Sequence, residues 1–173
     1  MPGQLQTYIR ITANNMSTPG SNQNPTQHKI TLFLASASPR RLALLTQINV
    51  TAQQLIVTAP EGEDEPRHPN ESVIEYVKRT TDDKMSRAQA YLDSLEHCAI
   101  ITADTTVALG QVILAKPKDR QDAIRMLSLL SGKTHDVYTA VDLYFKGQTT
   151  RALSHSQVSF ETMSIEQIER YVD

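Results

Sequence analysis

The sequence predicts one α/β domain built on a mixed sheet, and three observations carry that reading. Strand-like apolar runs interleave along the chain with runs whose apolar residues recur at helical spacing. The last two strand-like runs, 135–145 and 151–162, are separated by a short stretch with Gly147-Gln148 in its turn. They read as an antiparallel hairpin, which a purely parallel sheet would lack. The length, 173 residues, suits a single domain with a substantial core.

Taken in order, residues 1–28 carry no Asp or Glu, and their only Lys or Arg is Arg10. The segment from Ser17 to Gln27 is polar and punctuated by Pro and Gly, so it cannot bury enough apolar area to fold alone. It reads as a disordered polar leader, with Met1 and Met16 as alternative starts, and the domain proper spans 29–173. Strands are expected at 30–35, 54–58, 98–103, 106–109, 111–114, 135–145 and 151–162, with a turn at Gly110. Helices are expected at 39–47, 71–93, 120–131 and 165–172. Asn70 is the expected cap of the second helix. The third has the clearest signals: Asp119 to cap its start, Ala123, Met126, Leu127 and Leu130 on one face, and Gly132 to end it. Ser164-Ile165-Glu166-Gln167 has the form of a capping box for the last.

Composition excludes several classes. With 17 Lys and Arg against 19 Asp and Glu, no basic field marks a nucleic-acid binder. Aromatic residues are scarce and Trp is absent, which argues against a base-stacking platform. Cys98 is the single cysteine, so no intramolecular disulfide forms. It sits in the apolar run Cys98-Ala99-Ile100-Ile101 and reads as a buried, inert thiol of a reducing cytoplasm. No apolar run approaches the roughly 20 residues needed to span a membrane, and the chain does not open on a secretion signal.

Four polar clusters could carry chemistry. The first is Leu34-Ala35-Ser36-Ala37-Ser38-Pro39-Arg40-Arg41, where a strand ends and a helix opens on proline. The free N–H groups of a helix start attract anions, and two guanidinium groups beside them suit phosphate oxygens. Arginines in a first turn oppose the helix dipole, a cost that an anionic ligand offsets. Read alone, the run is either such a site or an ordinary capped surface helix. The second is Glu61-Gly62-Glu63-Asp64-Glu65, a solvated loop or a source of oxygen ligands for a hard cation such as Mg²⁺. The third is Ala103-Asp104-Thr105-Thr106, where an Asp at the C-terminal end of a strand is placed for a site, the alternative being a turn-forming Asp. The fourth is Ala115-Lys116-Pro117-Lys118, whose Lys116 is a phosphate contact or a solvated charge. Lys84, midway along the second helix, is open in the same way. Ser131-Gly132-Lys133-Thr134 mimics the end of a P-loop, but it closes a helix and opens a strand, the reverse of that motif's order, and Leu127 stands where a Gly is needed.

Together, these residues resemble the Maf family of nucleotide pyrophosphatases. The motifs match in order: Leu34 through Arg41, the acidic segment ending at Glu65, Glu75-Tyr76 leading to Lys84, Ala103 through Thr106, Ala115 through Lys118, and Met126 through Thr134. The resemblance covers residues 30 to 173 and implies an inosine-triphosphate-pyrophosphatase-like (Maf/Ham1) fold, a twisted mixed sheet flanked by helices with a cleft between two lobes. It implies hydrolysis of nucleoside triphosphates to the monophosphate and pyrophosphate with Mg²⁺ or Mn²⁺. On the same resemblance, Ser36, Arg40 and Arg41 contact the triphosphate, and Lys84 and Lys116 neutralise its charge. Glu65 and Asp104 hold the metal, and Asp104 serves as ligand or as general base. The Ser38-Pro39-Arg40-Arg41 form is similar to the dTTP/UTP branch; the 7-methyl-GTP branch and a non-catalytic nucleotide-binding regulator of septum formation are the alternatives. The expected partners are a nucleoside triphosphate and, as a homodimer, a second copy, with no nucleic-acid polymer and no membrane. The family pattern continues past Val172 into a Gly-rich segment with a glutamine near the base and a closing strand, so the chain is expected to be a fragment or a shortened form. The turn Leu109-Gly110-Gln111 is shorter and less acidic than the family's.

Overall fold

The computed structural model describes residues 30–56 and 66–173. The polar leader expected at 1–28 and the acidic run containing Glu65 lie outside the described residues. The elements are β1 (Thr31–Ala35), α1 (Pro39–Gln47), β2 (Gln53–Gln54), α2 (Val73–Tyr91), β3 (Cys98–Leu109), β4 (Val112–Leu114), α3 (Arg120–Leu130), β5 (Thr134–Phe145), β6 (Gln148–Ser159) and α4 (Ile165–Val172). This is the expected mixed α/β architecture. The sheet order is β2-β1-β3-β5-β6, with β4 added to β3. β1 is parallel to β2 and β3, and every other pairing is antiparallel.

Several boundaries differ from the sequence reading, each for a physical reason. The runs 98–103 and 106–109 form one strand of twelve residues. Asp104 is therefore mid-strand and not at a strand end or in a turn. The β-branched Thr105 and Thr106 suit a pleated surface, and β5 pairs with β3 continuously from Ala99 to Ala108. The strand expected at 54–58 shrinks to Gln53–Gln54, because β2 meets β1 only at Phe33 and Leu34; residues 57 and 58 lie outside the described part. Asn70 does not cap α2. It adopts a left-handed conformation, φ 60°, and Ser72 is the cap, closing a capping box with Glu75. The β5–β6 turn is Lys146-Gly147, both at positive φ, and Gln148 already pairs with Phe145. That two-residue turn follows the twist of the flanking strands, and β6 runs 148–159 in place of 151–162. Cys98 is half-buried, its thiol donating to the Ser94 carbonyl at 3.3 Å.

Other local signals agree with the sequence. Asp119 caps α3 by accepting from the Asp122 N–H at 2.8 Å. Ser164 and Gln167 form the capping box of α4. Gly132, at φ 68°, follows α3, and a Cβ there would lie 2.8 Å from the Thr162 hydroxyl, so this position needs glycine for both conformation and room.

The core lies where α2 covers β1, β3 and β5. Leu34, Val77, Thr81, Ile100 and Thr102 are the largest fully buried side chains. Ala35, Leu55, Met85, Ala88 and Ile100 form one cluster, flanked by Phe33, Leu92, Leu95 and Tyr144. Among the described residues, no helix is long and apolar enough to cross a membrane.

Candidate active site

The site grows from an interruption along one edge of β3. β1 accompanies β3 only as far as Ala35 opposite Thr102. β4 joins β3 again at Val107, opposite Leu114. β5 occupies the other edge throughout. Among the described residues, Ala103 to Thr106 therefore have no strand partner on the β1 side, and the turn from β1 into α1 arrives beside them.

That turn is tightly organised. The Ser36 side-chain oxygen accepts from the Ser38 N–H at 3.2 Å and from Arg41 Nη1 at 3.1 Å. Gln54 donates to the Ser36 carbonyl at 2.8 Å. Ser38 is the residue before α1, Pro39 begins the helix, and no side chain caps its N–H groups. The first turn contains no acid, so the positive end of the helix and the two arginines act together on whatever lies in front of them. Arg41 also donates to the Thr105 hydroxyl at 3.4 Å, and that hydroxyl pairs with Thr139 of β5 at 3.0 Å. Burial draws the Arg41 guanidinium below its ordinary value; the Asp104 carboxylate opposes this and Arg40 adds to it. An arginine keeps its charge through such a shift.

Asp104 points to the opposite face of the sheet from Thr105, by the alternation of a strand. There it meets α2. Lys84 forms an ion pair with Asp104 Oδ1, and the Thr80 hydroxyl donates to Oδ2 at 2.9 Å. Two groups result: Ser36 and Arg41 at the start of α1, reaching Thr105, and Lys84 with Asp104 on the α2 side, the Asp104 charge acting on Arg41 across the edge of β3. Arg40 is exposed in the first turn of α1, next to Arg41. Lys116 is exposed two residues beyond β4, which runs antiparallel to β3, so the chain after Leu114 heads toward Thr106. Glu65 lies outside the described residues. Thr80 and Thr139, the hydroxyl partner of Thr105, are not among the residues the sequence singles out. The signal for Thr80 is its spacing, four residues before Lys84, which puts both on one face of α2.

Among the described residues, no group of three or more His, Cys, Asp or Glu converges as a metal cage. A carboxylate offers about four lone-pair positions, and Lys84 and Thr80 engage one on each oxygen of Asp104. One carboxylate with capacity to spare could serve as a single oxygen ligand of a hard divalent cation.

A mixed sheet with arginines at a helix start on one side and a lysine-held carboxylate on the other defines a class: an α/β protein with an anion-directed polar site at an open strand edge. Residues 31–173 match the model of the family of Maf-like proteins, and the chain belongs to it. It is 47% identical over 144 residues to a dTTP/UTP pyrophosphatase of Bordetella parapertussis, covering 82% of this chain and 70% of that protein. It is 43% identical over 145 residues to one of Cupriavidus metallidurans, covering 82% and 72%. To one of Neisseria meningitidis it is 37% identical over 146 residues, covering 82% and 70%. Among solved structures, the Staphylococcus aureus Ham1 protein superposes with a TM-score of 0.46 at 9% identity, covering 75% of this chain and 71% of that one.

Proposed function

We propose that this chain hydrolyses nucleoside triphosphates, dTTP and UTP foremost, to the nucleoside monophosphate and pyrophosphate. One observation carries the reading: Arg41 leaves the open start of α1, bonds Ser36, and reaches Thr105, the residue after a carboxylate that Lys84 and Thr80 hold. Cation-rich and carboxylate-bearing groups thereby meet at one strand edge, the pairing that phosphoryl transfer needs for positioning and charge stabilisation. The names of the relatives supply the substrate class.

In this mechanism, Ser36, Arg40 and Arg41 bind and orient the triphosphate. Lys84 and Lys116 offset its charge. Asp104 and Glu65 would hold a divalent metal, Mg²⁺ or Mn²⁺, which supplies charge neutralisation and a more acidic water when bound. Asp104 additionally orients the attacking water, as metal ligand or as base. Water adds to the phosphorus next to the nucleoside, the bond to the bridging oxygen breaks, and pyrophosphate leaves. The cytoplasm, where nucleoside triphosphates are kept, is the compartment this reading implies.

The test is pyrophosphate release from a panel of dTTP, UTP and 7-methyl-GTP with Mg²⁺. Release from dTTP and UTP is expected, and Asp104→Asn should lower turnover about 100-fold or more while leaving the fold intact. Preferred cleavage of 7-methyl-GTP would move the chain to that substrate. Calorimetric binding of dTTP without any product would replace hydrolysis by nucleotide-binding regulation.

A further inference from the structure

We infer that Thr80 is a positioning residue that fixes the orientation of the Asp104 carboxylate. The inference rests on the proposed hydrolysis and deepens it. Thr80 lies in the middle of α2 with 5% of its surface exposed, and Thr81 beside it is fully buried. Two consecutive threonines are poor choices for a buried helix interior: the branched side chain restricts helical rotamers and the hydroxyl must find a partner. Each has found a different one. Thr81 bonds back to the Val77 carbonyl at 2.7 Å, the ordinary solution for a helical threonine. Thr80 lies within reach of that same carbonyl at 3.1 Å and of Asp104 Oδ2 at 2.9 Å.

A hydroxyl has one proton to donate. The Val77 carbonyl already accepts from Thr81, and a bond to an ionised carboxylate is the stronger option. The Thr80 proton therefore goes to Asp104. Lys84, one turn further along α2, takes the other oxygen. The terminal torsion of an aspartate is soft and broad when unconstrained. Two donors, one to each oxygen and both carried by the same rigid helix, remove that freedom. The carboxylate is then presented to the open edge of β3 in a fixed plane, and the ordering is complete before substrate arrives. Thr80 itself is set to touch Asp104 and acts through it.

Thr80→Val keeps the shape and removes the proton; Thr80→Ser restores the proton without the methyl group. With dTTP and Mg²⁺, Thr80→Val is expected to lower kcat about 5- to 30-fold with KM within twofold of the parent, and Thr80→Ser to recover kcat to within about threefold. A packing role alone would give the opposite order, since valine fills the site and serine leaves a gap. A second reading uses no turnover: the side-chain carboxyl ¹³C resonance of Asp104, assigned by its loss in Asp104→Asn, should move or broaden in Thr80→Val and stay in place in Thr80→Ser. Thr80→Ala serves in place of the valine variant if that one does not fold. A Thr80→Val protein whose kcat and Asp104 resonance both match the parent overturns the inference. If the parent releases no pyrophosphate, the hydrolase reading fails, and the carboxyl resonance still decides whether Thr80 holds Asp104.

Discussion

Asp142 is a carboxylate that the proposed chemistry does not use. It lies on β5 opposite Thr102, only 3% exposed, with Oδ2 lacking a hydrogen bond among the described residues and Arg151 Nε at 3.6 Å. Burial, and then the neighbouring Asp82, push its carboxyl up to about 6, against the pull of Arg151. The folded protein therefore holds a proton there that the unfolded chain releases near 3.8. Stability falls as pH rises through the window from about 4 to about 6, and the loss is complete above it. Asp142→Asn keeps the shape without the charge. Its melting temperature should exceed the parent's at pH 8, and the difference should shrink toward zero by pH 4. A lower melting temperature at pH 8 would mean that Arg151 outweighs the burial. Nothing in Val141-Asp142-Leu143 marks such a group, because a strand's alternation says which face a residue takes and not what already lies under that face. Ser36, Arg41 and Asp104 stand out as candidates in the sequence because their neighbours draw attention to them. Thr80 was not, since its meaning comes from β3, more than twenty residues away.

At the scale of elements, the entry to α2 is held by a network around Glu71 and Arg79. Arg79 Nε and Nη2 meet the two Glu71 oxygens at 2.6 and 3.0 Å, and Nη2 also donates to the Pro66 carbonyl at 3.0 Å. Arg67 donates to the Glu71 carbonyl and to the Gln111 carbonyl, each at 2.6 Å. Arg79 holds the Glu71 carboxyl well below the usual range, to about 2, with the His68 N–H helping and burial opposing. A depressed carboxylate contributes stability above its unfolded value near 4.5 that is lost as pH falls toward 2. Glu71→Gln should lower the melting temperature at pH 7, and its stability should vary less than the parent's between pH 4.5 and 2. Equal acid sensitivity in both proteins would remove Glu71 from the account. The elements are legible where a cap and an apolar stripe agree, as in α3, and where a full capping box stands, as in α4. They were read poorly where one residue had two roles. Asn70 is a good cap by type, yet Asn also tolerates the left-handed conformation it adopts, and the capping box two residues later takes the helix start.

At the scale of the molecule, the mixed sheet was legible from the interleaved pattern and the late hairpin. The continuity of β3 was not. Asp104-Thr105-Thr106 looks like a break because Asp is depleted in strands. The break is real, but it belongs to one neighbour and not to the strand: β1 and β4 leave a space beside β3 while β5 carries it through. In an antiparallel ladder, one residue sends both its N–H and C=O to the partner and the next sends neither. Of the four residues Ala103 to Thr106, two therefore turn their backbone groups away from β5, toward the edge where no strand among the described residues pairs. Hydrogen exchange would see this as a reading frame of two along the strand, with one amide as slow as the core and the next as fast as a loop. Adding dTTP should slow the fast pair and leave the slow pair unchanged. Four equally slow amides in the free protein would mean that the edge is closed.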